Sequence, residues 1–197
     1  MTTDKHAVEN RVPTDSLADV LWQRQGQTSL EHFRLSGMPG MFVLHGIVLS
    51  RAEAVPQQIQ YTVTCGLDWI TRAVDVTAIE GSHVHRLQLV RDPKGVWRRD
   101  AEVLQEFEGL SDVDLQITPA TNTLPIRRLQ LGIGQSVETD ALWIRFPELT
   151  LERLPQRYTR AAGHRYIYES RGGAFRAVLD VDGEGVVVRY GDVWGRV

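Results

Sequence analysis

The densest set of residues able to do chemistry lies between Ser111 and Leu131, in SDVDLQITPATNTLPIRRLQL. Asp112 and Asp114 stand two apart in the alternating run Asp112-Val113-Asp114-Leu115-Gln116-Ile117. Residues two apart on a strand share a face, so both carboxylates point one way and Val113, Leu115 and Ile117 the other. Such a pair can hold a hard divalent cation, share a proton in acid–base work, or pair with cations. Arg127 and Arg128 are the nearest candidates, because a guanidinium grips a carboxylate or phosphate through two parallel hydrogen bonds. The leading expectation is therefore an anchor of Asp112 and Asp114 with Arg127 and Arg128, tying the strand to the segment after it. A metal site or an enzyme centre at Asp112 and Asp114 is the lesser alternative, and a lipid headgroup is a second use for the two arginines. Thr118, Thr121, Asn122 and Thr123 read first as caps and turn residues, and second as partners for sugar hydroxyls.

The rest of the chain offers no legible catalytic apparatus. His32, His45, His83, His85 and His164 have no zinc-site spacing, and G-x-S-x-G, P-loop and dinucleotide fingerprints are absent. No cofactor is expected. The D-V-D pair also occurs in sugar-nucleotide transferases, but the parallel α/β pattern those enzymes need is missing. Cys65 is the one cysteine. An intrachain disulfide is therefore excluded, and its place on the apolar side of an alternating run predicts a buried thiol. A net charge of −3 and a pI near 6.1 leave no electrostatic footprint for nucleic acid. The opening MTTDKHAVENRVPTDS lacks the apolar stretch of a secretory signal. No apolar run approaches the roughly 20 residues of a transmembrane segment. A cytoplasmic location is the expectation.

The elements that must position these residues are mostly strands. Thr118-Pro119 breaks the ladder and suits a helix start. Pro125 disfavours helical geometry at Leu124, so a second start, with Thr123 near the cap and Pro125 in the first turn, fits equally well. Ile126, Leu129 and Ile133 keep helical spacing, while Leu129, Leu131 and Ile133 keep strand spacing. A short helix is expected within Pro119–Leu129 and a strand from Gln130 onward. Elsewhere, alternation is clearest in Gln57–Cys65, and Asp92-Pro93-Lys94-Gly95, Gly172-Gly173 and Asp182-Gly183-Glu184-Gly185 are hairpin turns. Met41–Ser50 is apolar enough to be buried on both faces, with Gly46 allowing close packing. As an exposed edge it would invite pairing with a second copy. No sequence repeat is seen. Residues 1–16 read as a loose arm and 17–197 as one domain, an antiparallel meander whose periodicity fits a roll, a barrel or a sandwich. Trp22, Trp69, Trp97, Trp143 and Trp194 serve equally as core or as cavity lining.

DVDL followed by TPATNTLPIRRL resembles the hallmark of a bacterial family of glycolipid-binding proteins. Trp22, the stretch Tyr61 to Trp69, Gly95-Val96-Trp97 and the closing VDGEGVVVRYGDVWGRV extend the likeness over roughly residues 20 to 197. The resemblance implies a mainly β fold, a long antiparallel sheet rolled around a single short central helix, assembled as a homodimer. It also implies a non-enzymatic protein that holds an amphipathic ligand, such as a glycolipid, between sheet and helix. In that picture Tyr61, Trp69 and Trp97 line a tail site, and Thr118, Asn122, Arg127 and Arg128 meet the head. Asp112, Asp114, Thr123, Pro125 and the two arginines form the structural anchor. The competing picture is a structural or regulatory homodimer with no small ligand.

Overall fold

The computed structural model describes residues 15–52 and 55–197. The expected loose arm falls almost wholly outside them, and Asp15 and Ser16 already belong to the first strand. Among the described residues fifteen strands form one sheet. The first eight are β1 (Asp15–Arg24), β2 (Ser29–Met38), β3 (Met41–Ala52), β4 (Val55–Gly66), β5 (Thr71–Glu80), β6 (His83–Arg91), β7 (Trp97–Arg99) and β8 (Glu102–Val103). After them come β9 (Asp112–Leu115), the helix α1 (Thr123–Leu129), β10 (Ser136–Arg145), β11 (Thr150–Ala162) and β12 (Arg165–Ser170). The chain ends with β13 (Phe175–Val181), β14 (Val187–Tyr190) and β15 (Trp194–Arg196). Across the sheet the order runs from β8 down to β1, then from β15 down to β9. The first and last strands thus pair in the middle, with Trp22 opposite Arg196. The sheet rolls around the short helix without closing into a barrel. Among the described residues no helix is long and apolar enough to cross a membrane.

Alternation produces the concave lining. On β2, Ser29, Glu31, Phe33 and Leu35 are buried while Leu30, His32 and Arg34 face out; on β4, Ile59, Tyr61, Val63 and Cys65 are buried. The expected apolar strand exists as β3, but it is not an edge: β2 and β4 flank it. Nor is it buried on both faces, since Leu44 and Val48 are inside and Leu49 is exposed. The edge argument for a dimer is thereby removed. Gly46 does allow close packing. A Cβ there would overlap the Tyr61 ring, so the phenol lies across β3 and reaches β2.

One pair departs from the meander. β9 runs parallel to β10, with Asp112 opposite Ala141 and Asp114 opposite Trp143. A parallel pair needs a crossover connection, and here the crossover carries the helix. Its strand is shorter than the alternation suggests, ending at Leu115 rather than Ile117, because Thr118-Pro119 turns the chain into a 3₁₀ turn at Ala120–Asn122. The helix then takes the second of the two starts, with Pro125 in its first turn. It ends where Gln130 adopts a left-handed φ of 45°. The strand expected from Gln130 begins only at Ser136, because a turn closed by the Gly132 N–H donating to Gln135 Oε1 intervenes.

Two hairpins share one hydrogen-bond pattern. Asp92 Oδ1 accepts from Lys94 N and Val96 N at 2.9 and 3.0 Å, and Asp182 Oδ1 accepts from Glu184 N and Val186 N at 3.0 and 2.9 Å. In both, the glycine N–H donates back to the Asp carbonyl at 3.0 Å, with positive φ at Gly95 and Gly185, where glycine costs least. This recurrence of D-x-x-G-V escapes a search for long repeats because only five residues carry it.

Candidate functional site

The central segment meets the sheet through two buried acids, Asp112 and Glu31, and a part-buried one, Asp114. Asp112, 1% exposed, receives Nε and Nη2 of Arg128 at 3.0 and 2.5 Å, and Arg128 also donates to Thr139 Oγ1 at 3.2 Å. Burial pushes the Asp112 carboxyl up and the guanidinium opposes it. Burial also works against the Arg128 charge, but bonding to Asp112 raises that group overall. Asp114 has no arginine. Its Oδ2 accepts from Gln156 Nε2 at 2.6 Å and, more weakly, from the Tyr168 hydroxyl at 3.4 Å. Burial outweighs both bonds and pushes Asp114 up to about 6. Glu31, fully buried on β2, is held by neutral hydroxyls. Its Oε1 accepts from Tyr61 at 2.5 Å and from Thr118 at 2.7 Å, and its Oε2 has no partner among the described residues. Burial pushes it up to about 8.

Beside Asp114 lies a pocket of about 300 Å³. Its floor comes from the central segment: Asp114, Thr118 and Asn122. Its aromatic wall comes from successive strands, with Trp143 on β10, Tyr168 on β12, Phe175 on β13, Tyr190 on β14 and Trp194 on β15. Tyr168, Phe175 and Tyr190 form an edge-to-face triangle with centroids 6.0–6.1 Å apart, the arrangement aromatic quadrupoles favour. Trp143, Phe175 and Tyr190 are only half-buried, so apolar ring surface remains free to meet a guest. Arg24, Arg145 and Arg171 stand around this chamber. Both Oδ2 bonds leave Asp114 Oδ1 without a protein donor among the described residues.

The residues proposed from sequence are divided between several places. Thr118 and Asn122 line this pocket, although Asn122 also accepts from the Tyr158 hydroxyl at 2.8 Å and Thr118 also holds Glu31. Trp69 and Arg127 line a separate, open depression at the C-terminal end of α1. There the Arg127 guanidinium lies 4.9 Å from the Trp69 ring centroid, and Trp69 stacks on Phe42 at 4.3 Å. Tyr61 and Trp97 are packed into the core, with the Trp97 indole N–H donating to the Leu110 carbonyl at 3.0 Å. The four charged residues do not form one cluster. Asp112 and Arg128 pair, Asp114 turns to Gln156, and Arg127 lies 3.7 Å from Glu184. The parallel register explains the division, since it sets Asp112 beneath the helix and Asp114 two rungs along, beside Trp143. Thr123 is buried at the helix start and Pro125 in its first turn. Two acid partnerships were missed that parity does signal: Glu31 shares a face with Phe33 and Leu35, and Gln156 with Leu154 and Tyr158.

A family model described as "Putative glycolipid-binding" matches residues 19–196. Among solved structures, the chain is similar to a DUF1089 family protein from Pseudomonas aeruginosa. The two are 34% identical, with 89% of this chain and 95% of that one covered and a TM-score of 0.80. No functionally curated protein matches it. With a family model spanning nearly the whole rolled sheet, and a relative of the same fold at this identity, the chain belongs to the putative glycolipid-binding family.

Proposed function

We propose that the aromatic pocket holds the polar headgroup of an amphipathic ligand of the glycolipid class, with no chemical step performed on it. One observation carries this: half-buried aromatic rings line the same chamber as Asp114, whose Oδ1 has no protein donor among the described residues. A sugar ring has apolar C–H faces that suit aromatic surface and hydroxyls that a carboxylate accepts. At about 300 Å³ the chamber lies at the low end of ligand pockets, which run from about 300 to 1,000 Å³. It therefore suits a headgroup rather than a whole lipid. The interior around Tyr61, Trp97 and Leu124 is filled, each being at most 1% exposed. The acyl chain instead leaves past Phe175 and Val193 at the edge of the pocket.

Calorimetric titration with dodecyl glucoside below its micelle concentration tests the reading. Saturable binding, a melting temperature that rises with ligand, and a loss of about tenfold or more in affinity in Tyr190→Ala are the expected results. Absence of saturable binding, or equal affinity in that variant with its fold intact, would refute it. A homodimer belongs to the same proposal. Its support is the apolar row on the outer face, where Leu30 pairs with Leu49 across β2 and β3, and Ile79 with Val84 across β5 and β6. Light scattering on wild type and Leu49→Glu checks it; a monomer mass at all concentrations would remove it.

A further inference from the structure

We infer that the pocket selects an acidic headgroup, one bearing a carboxylate or phosphate, through Arg24 and Arg171. The inference rests on the headgroup reading above and adds to it the charge of the ligand. Three guanidiniums, Arg24, Arg145 and Arg171, line the chamber against one carboxyl, Asp114. Their partners differ. Arg145 is already engaged by Glu152 at 2.8 Å. Arg24 and Arg171 have no ion-pair or hydrogen-bond partner among the described residues; their aromatic neighbours are Trp194 at 5.9 Å and Trp143 at 6.0 Å from the ring centroids.

Arg24 is the more telling of the two. It is half-buried on β1, and that burial disfavours its charge. A desolvated cation without a counter-charge is costly, and an anion brought beside it removes the cost. The planar guanidinium offers two parallel N–H donors, a match for two oxygens of a carboxylate or phosphate. Arg171 comes from the turn after β12, where its own φ of 52° and the two glycines that follow carry the chain around the pocket. Trp143 and Trp194 orient the two cations without neutralising them, because a ring face attracts a guanidinium but supplies no hydrogen-bond acceptor oxygen. Asp114 does not spoil the site. Its carboxyl already sits high, and an anion beside it favours the protonated form, which then donates a hydrogen bond instead of repelling.

The test uses the full chain and three probes: dodecyl glucuronide, dodecyl glucoside and inorganic phosphate. At low salt the glucuronide is expected to bind about tenfold tighter than the glucoside, and added salt should narrow the gap. The preference should collapse toward parity in Arg24→Gln and in Arg171→Gln. Arg171 is exposed, so its variant keeps the test valid even if Arg24→Gln folds poorly. Competition by inorganic phosphate alone would identify a free anion as sufficient, whereas competition only by the alkyl uronide would identify a lipid headgroup. Equal binding of glucoside and glucuronide would overturn the acidic preference and leave the headgroup reading standing. Binding of neither would overturn both.

Discussion

Glu31 makes the stability of this protein depend on pH, because its carboxyl is buried among neutral hydroxyls. Its ordinary pKa of 4.5 applies in the unfolded chain, and burial raises it to about 8 in the folded one. Between those values the folded state keeps a proton that the unfolded state has lost. The contribution of Glu31 is therefore fully present below about pH 4.5 and is lost as pH rises through the folded value. At ~1.4 kcal/mol per pH unit, the full loss is about 5 kcal/mol, an upper figure for one group. The upper part of the range isolates it. Asp114, at about 6, is past its midpoint where this interval begins, His45 is lowered from 6.5, and Cys65 is pushed up to about 12. From about pH 6.5 to 8 the expected loss is thus ~2 kcal/mol. Urea unfolding at steps across this interval measures it directly, as a falling midpoint at constant slope. Glu31→Gln keeps an oxygen for Tyr61 and Thr118 but cannot ionise, so its midpoint should stay level and overtake that of wild type at the alkaline end. A wild-type midpoint unchanged over the interval, or the same fall in Glu31→Gln, would refute the assignment.

Three further substitutions test how the acids are held. Gly46→Ala sets a methyl inside the Tyr61 ring, so Tyr61 must leave Glu31; overpacking of about 1–3 kcal/mol is expected, visible as a lower urea midpoint at every pH. Arg128→Ala strands the 1%-exposed Asp112 and should cost about 3–5 kcal/mol, whereas Asp112→Ala leaves an arginine with 19% of its side chain exposed and should cost less. A double mutant that loses less than the sum of the two singles marks the coupling, and strict additivity would dismiss it.

How much of this was legible follows from what periodicity encodes. It reports which residues share a face, so the buried lining of β2 and β4, the buried Cys65 and the break at Thr118-Pro119 could all be read directly. The parallel pairing of β9 was readable too, since strand, helix and strand in succession is the pattern of a crossover, but the surrounding hairpins argued for antiparallel pairing throughout. Partner identity is a different matter. Asp112 and Asp114 look equivalent in D-V-D, and only the register against Ala141 and Trp143 separates the arginine-paired acid from the other. The aromatic wall draws on five strands from β10 to β15, with Arg24 from β1. No local pattern joins those residues; the meeting of the first and last strands does.

The three acids at the seam between sheet and central segment differ in how they are held. Asp112 and Glu31 are buried and Asp114 part-buried, and in each desolvation favours the neutral form. What differs is the donor supplied: a guanidinium for Asp112, an amide and a distant phenol for Asp114, two hydroxyls for Glu31. A charged donor holds its acid in place as a strut. Neutral donors leave electrostatic demand unmet, and for Glu31 that demand is met by keeping the proton, because Oε2 is closed off from solvent. Of the three, Asp114 alone combines unmet demand with a place in the lining of the pocket. Thr118 belongs to both arrangements, donating to Glu31 while lining that chamber. In the headgroup reading proposed above, a ligand hydroxyl that bonds Asp114 would supply the donor that the fold itself does not.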